Sequence, residues 1–462
     1  MKKLSTKKEL LIYALAGFGI NMLNLIVGTY LTDALMTKGF SKDIEYWTYL
    51  NITLVSAGVW SVLVTIAKVI DGVIDIPLAG LTDNFKSKFG RRRPFILVGM
   101  IGVITFYLLF LLPLSKTENS ILNTFWFFII LSLFFVTYTL TMVTYYATFS
   151  EITKDEDDKI TLSNYKSVFD VIYFVLGYAL IPIFISLKLN IRIVALIFLP
   201  LALTMLIPLF MINEKSTLNL DKEEVKKEED SFMQVGMIES IKIVFKNKTF
   251  VKWMLVFMTL QFGLQMFMTG ENVFFSGALG FEGYKITAVT AFVFLPVPLT
   301  LIIYHKISRK FGFKTGYVYS LSMFIIAMVI MTICYFINDK LLFTLGSFEI
   351  TLKFILACFG ALVASFGVGT FFSVGYSVPA TLAAMDYKKS KVQHGAMYFA
   401  VQGLASGLAG AISTGLVWIN LRDNDLVWMM GIVIGSAAFI SLALSLLLPK
   451  ELSLFSRVKE EE

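Results

Sequence analysis

Lys68, Asp71 and Asp75 stand in a stretch that is otherwise apolar and long enough to cross a bilayer. Their spacing is i, i+3, i+7, so at about 100° per residue all three fall on one face of a helix. A charge near the bilayer centre costs about 2.5–3.5 kcal/mol on insertion scales, so such residues face a partner or a wet cavity. Two carboxylates one turn apart, with an ammonium one turn before them, form a natural cation or proton site. They also read as a structural Lys–Asp pair that locks helices together, and the two readings are compatible. Asp83 closes this helix. Lys86, Lys88, Arg91, Arg92 and Arg93 follow, with Gly90 as the turn and Pro94 opening the next apolar segment. That many positive charges in one short connection mark its cytoplasmic side.

The elements that position these charges must be membrane helices. Of 462 residues, 57% are hydrophobic and only 16% charged, and the mean hydropathy is +0.75. No soluble domain of this size has that balance, which makes the chain a polytopic membrane protein in a lipid bilayer. The formal charge of +7 is no nucleic-acid signal, because the basic residues sit in short connections between spans. Cys334 and Cys358 lie in apolar runs and read as packing residues, with no disulfide or metal pattern. His305 and His394 both fall in loops, which argues against a metalloenzyme or a histidine-based triad. The spans hold no nucleophile–base pair, so no enzyme is expected. No cofactor is expected beyond a coupling ion.

Twelve apolar segments of spanning length run roughly over 9–36, 53–83, 94–114, 121–149, 167–187, 191–212, 250–280, 285–307, 315–338, 353–384, 395–420 and 427–449. The first follows a basic N-terminus, is full length and has no small-residue cleavage site, so it reads as a span rather than a signal peptide. Most Lys and Arg residues fall in the connections and tails on one side, which places both termini in the cytoplasm. The division expected is an N-terminal six-helix bundle (1–212) with the cation site, a polar linker (213–249), a C-terminal six-helix bundle (250–449) and a tail (450–462). A weak repeat supports two halves. Lys88-Phe89-Gly90 recurs as Lys310-Phe311-Gly312, and in that register Asp71 and Asp75 correspond to Val293 and Val297. The acidic pair therefore exists in the first half only.

The run Asp71, Asp75, Pro77, Gly80, Thr82, Asp83, then Gly90, Arg91, Arg92, Arg93 and Pro94, resembles the glycoside–pentoside–hexuronide:cation symporters of the major facilitator superfamily. The resemblance covers nearly the whole chain. It is strongest in the second span and first basic loop, and patchy in the C-terminal half. It implies an all-α, twelve-helix transporter with substrate near the midplane between the halves. It also implies a cation at Asp71 and Asp75, with Thr139 as a neutral ligand and Lys68 where a basic residue is tolerated. Asn21 stands where the family places a sugar-contacting acidic or amide residue, Met142 replaces an aspartate, and Lys166 replaces an arginine at the entry to segment five. Ile74 replaces an asparagine, so one oxygen ligand for sodium is missing.

The residues themselves add further candidates. Gly17, Asn21, Asn24 and Gly28 share one helix face, and their amides offer both donors and acceptors, for a ligand or for helix–helix packing. Of Tyr145 and Tyr146, one should pack and the other stack on a ligand. Gln261, Gln265 and Asn272 share a face of segment seven. Glu271 beside them is either a second ionisable substrate contact or close enough to the outer surface to be wet. Tyr398, Gln402, Ser406 and Ser413 make a polar stripe in segment eleven. Pro296 and Pro298 should kink segment eight. A hard cation needs several oxygens, whereas a proton needs only one carboxylate suited to hold it, so the residues favour a proton over sodium with both left open. The expected function is cation-coupled symport of a sugar or glycoside by a monomer in the cell membrane, and the bias to Ile, Lys, Phe and Asn suggests a bacterial source. The alternatives are a facilitator for a non-sugar solute or lipid, and a transport-inactive receptor or scaffold.

Overall fold

In the computed structural model, residues 4, 6–36, 48–83, 85, 87–153, 156–214, 216, 245–345, 348–390 and 395–449 are described. Most of the linker 213–249 and the tail 450–462 lie outside them. The described chain is almost wholly helical. Helices α1 (Lys7–Ala34), α2 (Ala57–Asp83), α3 (Arg93–Phe110), α4 (Ile121–Ile152), α5 (Glu156–Ser186) and α6 (Ile191–Met211) come from the first half. Helices α7 (Lys248–Ala278), α8 (Tyr284–Ser308), α9 (Phe313–Phe336), α10 (Leu352–Ser390), α11 (395–423) and α12 (Val427–Ser445) come from the second.

Among the described residues, 11 helices are long and apolar enough to cross a membrane. The exception is α5, whose apolar part is the shorter stretch Val168–Tyr178. Helix α5 nevertheless runs unbroken over Glu156–Ser186 and covers the segment expected at 167–187 to within one residue, with Lys166 and Asp170 buried on it. The helix also starts well before the expected boundary, so Lys166 stands inside a helix rather than in a loop. In the same way α10 runs on to Ser390, past the end expected at 384. The connection between α9 and α10 holds an antiparallel hairpin, Leu341–Leu345 against Phe348–Thr351.

Hydrophobic periodicity did not reveal the local irregularities. Wider turns interrupt α1 at Ile26–Leu31, α7 at Phe274–Ala278 and α11 at Ala411–Trp418. Such π-type turns are frequent at functional sites. A tighter stretch, Leu199–Met205, breaks α6, where Pro200 removes a backbone donor. Pro296 and Pro298 break α8 between Phe294 and Val297, as their missing N–H groups require.

The described residues form two compact units, one from 4–36, 48–177 and 189–216, the other from 178–188 and 245–449. Within the first, α1 and α6 approach at Gly19. A methyl group there would lie 1.7 Å from the carbonyl oxygen of Leu201. The Gly19 N–H donates to Thr204 Oγ1 at 3.2 Å, and Thr204 in turn donates to the Ala16 carbonyl at 2.8 Å. Backbone faces backbone here, so neither side can yield cheaply. Gly19→Ala is expected to cost about 3 kcal/mol, at the upper end for overpacking. Thermal unfolding in detergent checks this, and a variant as stable as the parent would show that the two helices slide apart freely.

The repeat read from the sequence has a backbone counterpart. Gly90 and Gly312 both adopt positive φ, at 86° and 94°, a region that L side chains disfavour. Val293 and Val297, the second-half counterparts of Asp71 and Asp75, are fully buried apolar residues.

Candidate functional site

On α2 the exposed residues Val62, Ile66 and Val73 define one face. Lys68, Asp71 and Asp75 project from the opposite face, about 140–200° away at helical spacing. All three are partly buried. Asp71 accepts a hydrogen bond from Thr139 Oγ1 of α4 at 2.9 Å, and Asp75 lies close enough to act electrostatically on Asp71. A threonine from another helix thus stands at the acidic pair, which helical spacing alone leaves open. Lys68 acts electrostatically on Asp71 and also on Asp33 of α1. Asp33 is buried and was not singled out in the sequence, although a carboxylate inside a span is itself a signal.

The neighbouring residue on α4 belongs to a second cluster. The Tyr138 hydroxyl donates to Asn21 Oδ1 at 3.1 Å, and Asn21 Nδ2 donates to Asp170 Oδ1 at 3.0 Å. Only the amide NH₂ can donate to a carboxylate, so this pairing sets the orientation of the Asn21 side chain. Lys166 Nζ forms a buried ion pair with the same Asp170 oxygen, one helical turn away. The ammonium also lies 5.6 Å from the ring centroid of Tyr146. The Tyr146 hydroxyl reaches Asn21. Tyr146 is 40% exposed, whereas Lys166 and Asn21 beside it are buried.

Asp170 and Tyr138 were missed in the sequence. Asp170 was detectable as an acid inside the fifth apolar segment. Its partner Asn21 is 149 positions away, and no spacing rule joins them. Tyr145 plays a different part from Tyr146. It is fully buried, stacks on Tyr13 at 5.4 Å and donates to the Tyr13 carbonyl at 2.7 Å. Asn24 is half-buried, and its Oδ1 has no hydrogen-bond partner among the described residues.

The remaining candidates lie in the second unit. Both ends of the Gln402 amide are engaged in helix packing: it accepts from Trp253 Nε1 at 2.8 Å and donates to the Gly375 carbonyl at 2.6 Å. Gln261 donates to Ser406, while its Oε1 is buried with no partner among the described residues. Gln265 is half-buried next to Gly410 of α11. Glu271 is fully buried, so it is not a wet group at the protein surface.

The basic loop is tied down from the linker side. Glu214, just after α6, accepts from the backbone N–H groups of Arg92, at 3.0 and 3.2 Å, and Arg93, at 3.1 Å. These are orphan donors at the start of α3, and the carboxylate also opposes the positive end of that helix. Arg92 is buried and donates to Thr82 Oγ1 at 3.3 Å, while Arg91 and Arg93 are half-buried. Ser87 Oγ donates to the Gly90 carbonyl at 2.6 Å and fixes the turn. The Asp83 side chain lies outside the described residues. Glu214→Ala is expected to cost about 1–2 kcal/mol, the usual value of a cap together with its charge–dipole contribution. Unfolding temperature checks this, and no change would mean that water replaces the carboxylate without cost.

Comparisons with known proteins bear on the whole chain. A family model described as MFS/sugar transport protein matches residues 12–447. A search of curated proteins finds no match. Among solved structures, the nucleoside transporter NupG aligns with a TM-score of 0.62 at 14% identity, covering 96% of this chain and 98% of that one. A POT family transporter in complex with 5-aminolevulinic acid aligns at 0.63 and 13% identity, covering 96% of each chain. A bacterial homolog of the human lysosomal transporter Spinster aligns at 0.55 and 14% identity, covering 98% of this chain and 97% of that one. At these identities the likeness is one of fold.

Proposed function

We propose that this chain, which belongs to the MFS/sugar transport protein family, is a secondary active transporter that couples entry of a hydroxyl-rich solute, a sugar or glycoside, to a cation. The observation that carries this reading is the pair Tyr138 and Thr139. Adjacent on α4, they bond respectively to the Asn21–Asp170–Lys166 cluster and to the Asp71–Asp75 pair. A rotation or shift of one helix therefore acts on both groups at once. That is the mechanical requirement for coupling a bound solute to a bound ion.

The roles follow from the chemistry present. Asp71 and Asp75 take the ion, and Thr139 supplies a neutral oxygen. With few further oxygens at hand, a proton suits the pair better than sodium. Tyr146 offers a ring face for the apolar side of a sugar, and Asn21, Asn24, Lys166 and Asp170 offer donors and acceptors for hydroxyls. Lys166 and Asp170 neutralise each other in the absence of ligand, so a polar solute must compete with that pair and not with an isolated charge.

Uptake into proteoliposomes tests the reading. Glycosides, pentoses, hexuronates and, because one structural neighbour is a nucleoside transporter, nucleosides would be offered under an imposed proton or sodium gradient. Accumulation of one sugar under one gradient supports the proposal and names both ligands. Accumulation of a nucleoside alone would move the substrate class, and downhill equilibration with no response to either gradient would remove the coupling.

A further inference from the structure

Glu271 is the buried ionisable group that neither cluster uses. It lies near the C-terminal end of α7, in the unit that lacks the acidic pair. Its relative exposure is 0%, and neither carboxyl oxygen has a hydrogen-bond partner among the described residues. The elements packed against this end of α7 bring few charges. Helix α12 and the wide turn Ala411–Trp418 carry none. Lys285 of α8, Lys353 of α10, and Arg422 and Asp423 at the end of α11 are the nearest by position in their elements, and among the described residues no charged group acts on Glu271.

An ionised carboxylate buried with no partner is far more costly than the neutral acid. A metal ion would need several oxygens around it. A proton needs neither volume nor further ligands. A second unsatisfied group stands at the same junction. The Trp418 ring lies against Gly270, where a methyl group would come within 2.8 Å of it, and Trp418 Nε1 is also buried without a partner among the described residues. A donor and an acceptor are thus both unsatisfied around consecutive residues of one helix, beside two π-type turns, Phe274–Ala278 and Ala411–Trp418. Local rearrangement of such turns can join the two groups.

We infer that Glu271 is a proton-binding site separate from the Asp71–Asp75 pair, loaded in the state described here and unloaded in a state where Trp418 Nε1–H becomes its hydrogen-bond donor. The use of two states rests on the transport reading, but the presence of an exchangeable proton on Glu271 does not.

The test uses full-length protein in proteoliposomes and dicyclohexylcarbodiimide, which modifies protonated carboxyls in apolar surroundings. Peptide mass mapping reads the site in the unmodified sequence, so no variant need fold for the first result. Glu271 is expected to be labelled at neutral pH, with the labelling lost as pH rises. Trp418→Phe removes the donor for the anion, so the loss should move to higher pH. An unlabelled Glu271 peptide, or labelling indifferent to pH while the protein stays folded, overturns the site. An unchanged profile in Trp418→Phe overturns the switch to Trp418. No transport substrate is needed, so a chain that labels at Glu271 yet accumulates no sugar separates this proposal from the failure of the coupling reading.

Discussion

Asp71→Asn is expected to cut gradient-driven accumulation of substrate sharply while leaving solute exchange across the membrane in place. The amide keeps the size of the carboxyl and can still accept from Thr139 Oγ1, now at 2.9 Å from Asp71 Oδ1, so the packing of α2 on α4 survives. The variant loses the ability to change charge with its ion. Accumulation requires that the ion travel with the solute, whereas exchange of labelled for unlabelled solute requires no net ion movement. The expected fall in accumulated solute is at least about tenfold, equivalent to about 1.4 kcal/mol of lost coupling. Asp75→Asn should behave alike, since Asp75 lies one helical turn from Asp71 and acts on it electrostatically. Thr139→Ala should be milder, about fivefold in ion affinity, because it removes a single hydrogen bond worth about 1 kcal/mol. If accumulation survives in both aspartate variants, the pair is a structural lock and the driving ion binds elsewhere.

The largest effect on stability is expected at Lys166 and Asp170. Their ion pair is buried, and Asn21 adds a further hydrogen bond to the carboxylate at 3.0 Å. Removing one partner of such a pair leaves the other charge uncompensated and costs about 3–5 kcal/mol. A marginally stable membrane protein with that loss should fall sharply in folded yield. Replacing both partners with apolar residues of similar volume removes both charges, and is often neutral or stabilising. Lys166→Met together with Asp170→Leu should therefore be more stable than either Lys166→Met or Asp170→Leu alone, a coupling that a double-mutant cycle measures. The double variant should also bind substrate poorly, because it keeps the fold and loses the donors and acceptors around Asn21. A folded double variant with unimpaired uptake would assign the pair to the architecture alone. Additive single costs would show that the ion pair is dispensable even as a lock.

The sequence by itself determined the membrane class, most of the helices and the place of the acidic pair. Each is a local property. Apolar length marks a span because every backbone group in lipid must bond within its own helix. Lys68, Asp71 and Asp75 share a face because helical periodicity puts them there. The turn at Gly90 was legible from composition, and its repeat at Gly312 adopts the same kind of backbone angle. The motif around Asp71 to Pro94 carried the family, and the family match over residues 12–447 agrees with it.

Tertiary structure decided which polar residues meet. The Asn21–Asp170 bond spans 149 positions, and the Thr139–Asp71 bond spans 68. It separated Tyr145, whose hydroxyl is spent on the Tyr13 carbonyl, from Tyr146, which is partly exposed and carries the Lys166 ammonium over its ring. It turned Gln402 into a brace between helices, and left Glu271 buried without a partner among the described residues. The physical reason is the same throughout. Spacing along a helix fixes which face a side chain takes, but a hydrogen bond forms only with a group that another helix brings within about 3 Å. That distance depends on which helices pack together, and on wide turns and glycine contacts that leave no periodic trace in the chain.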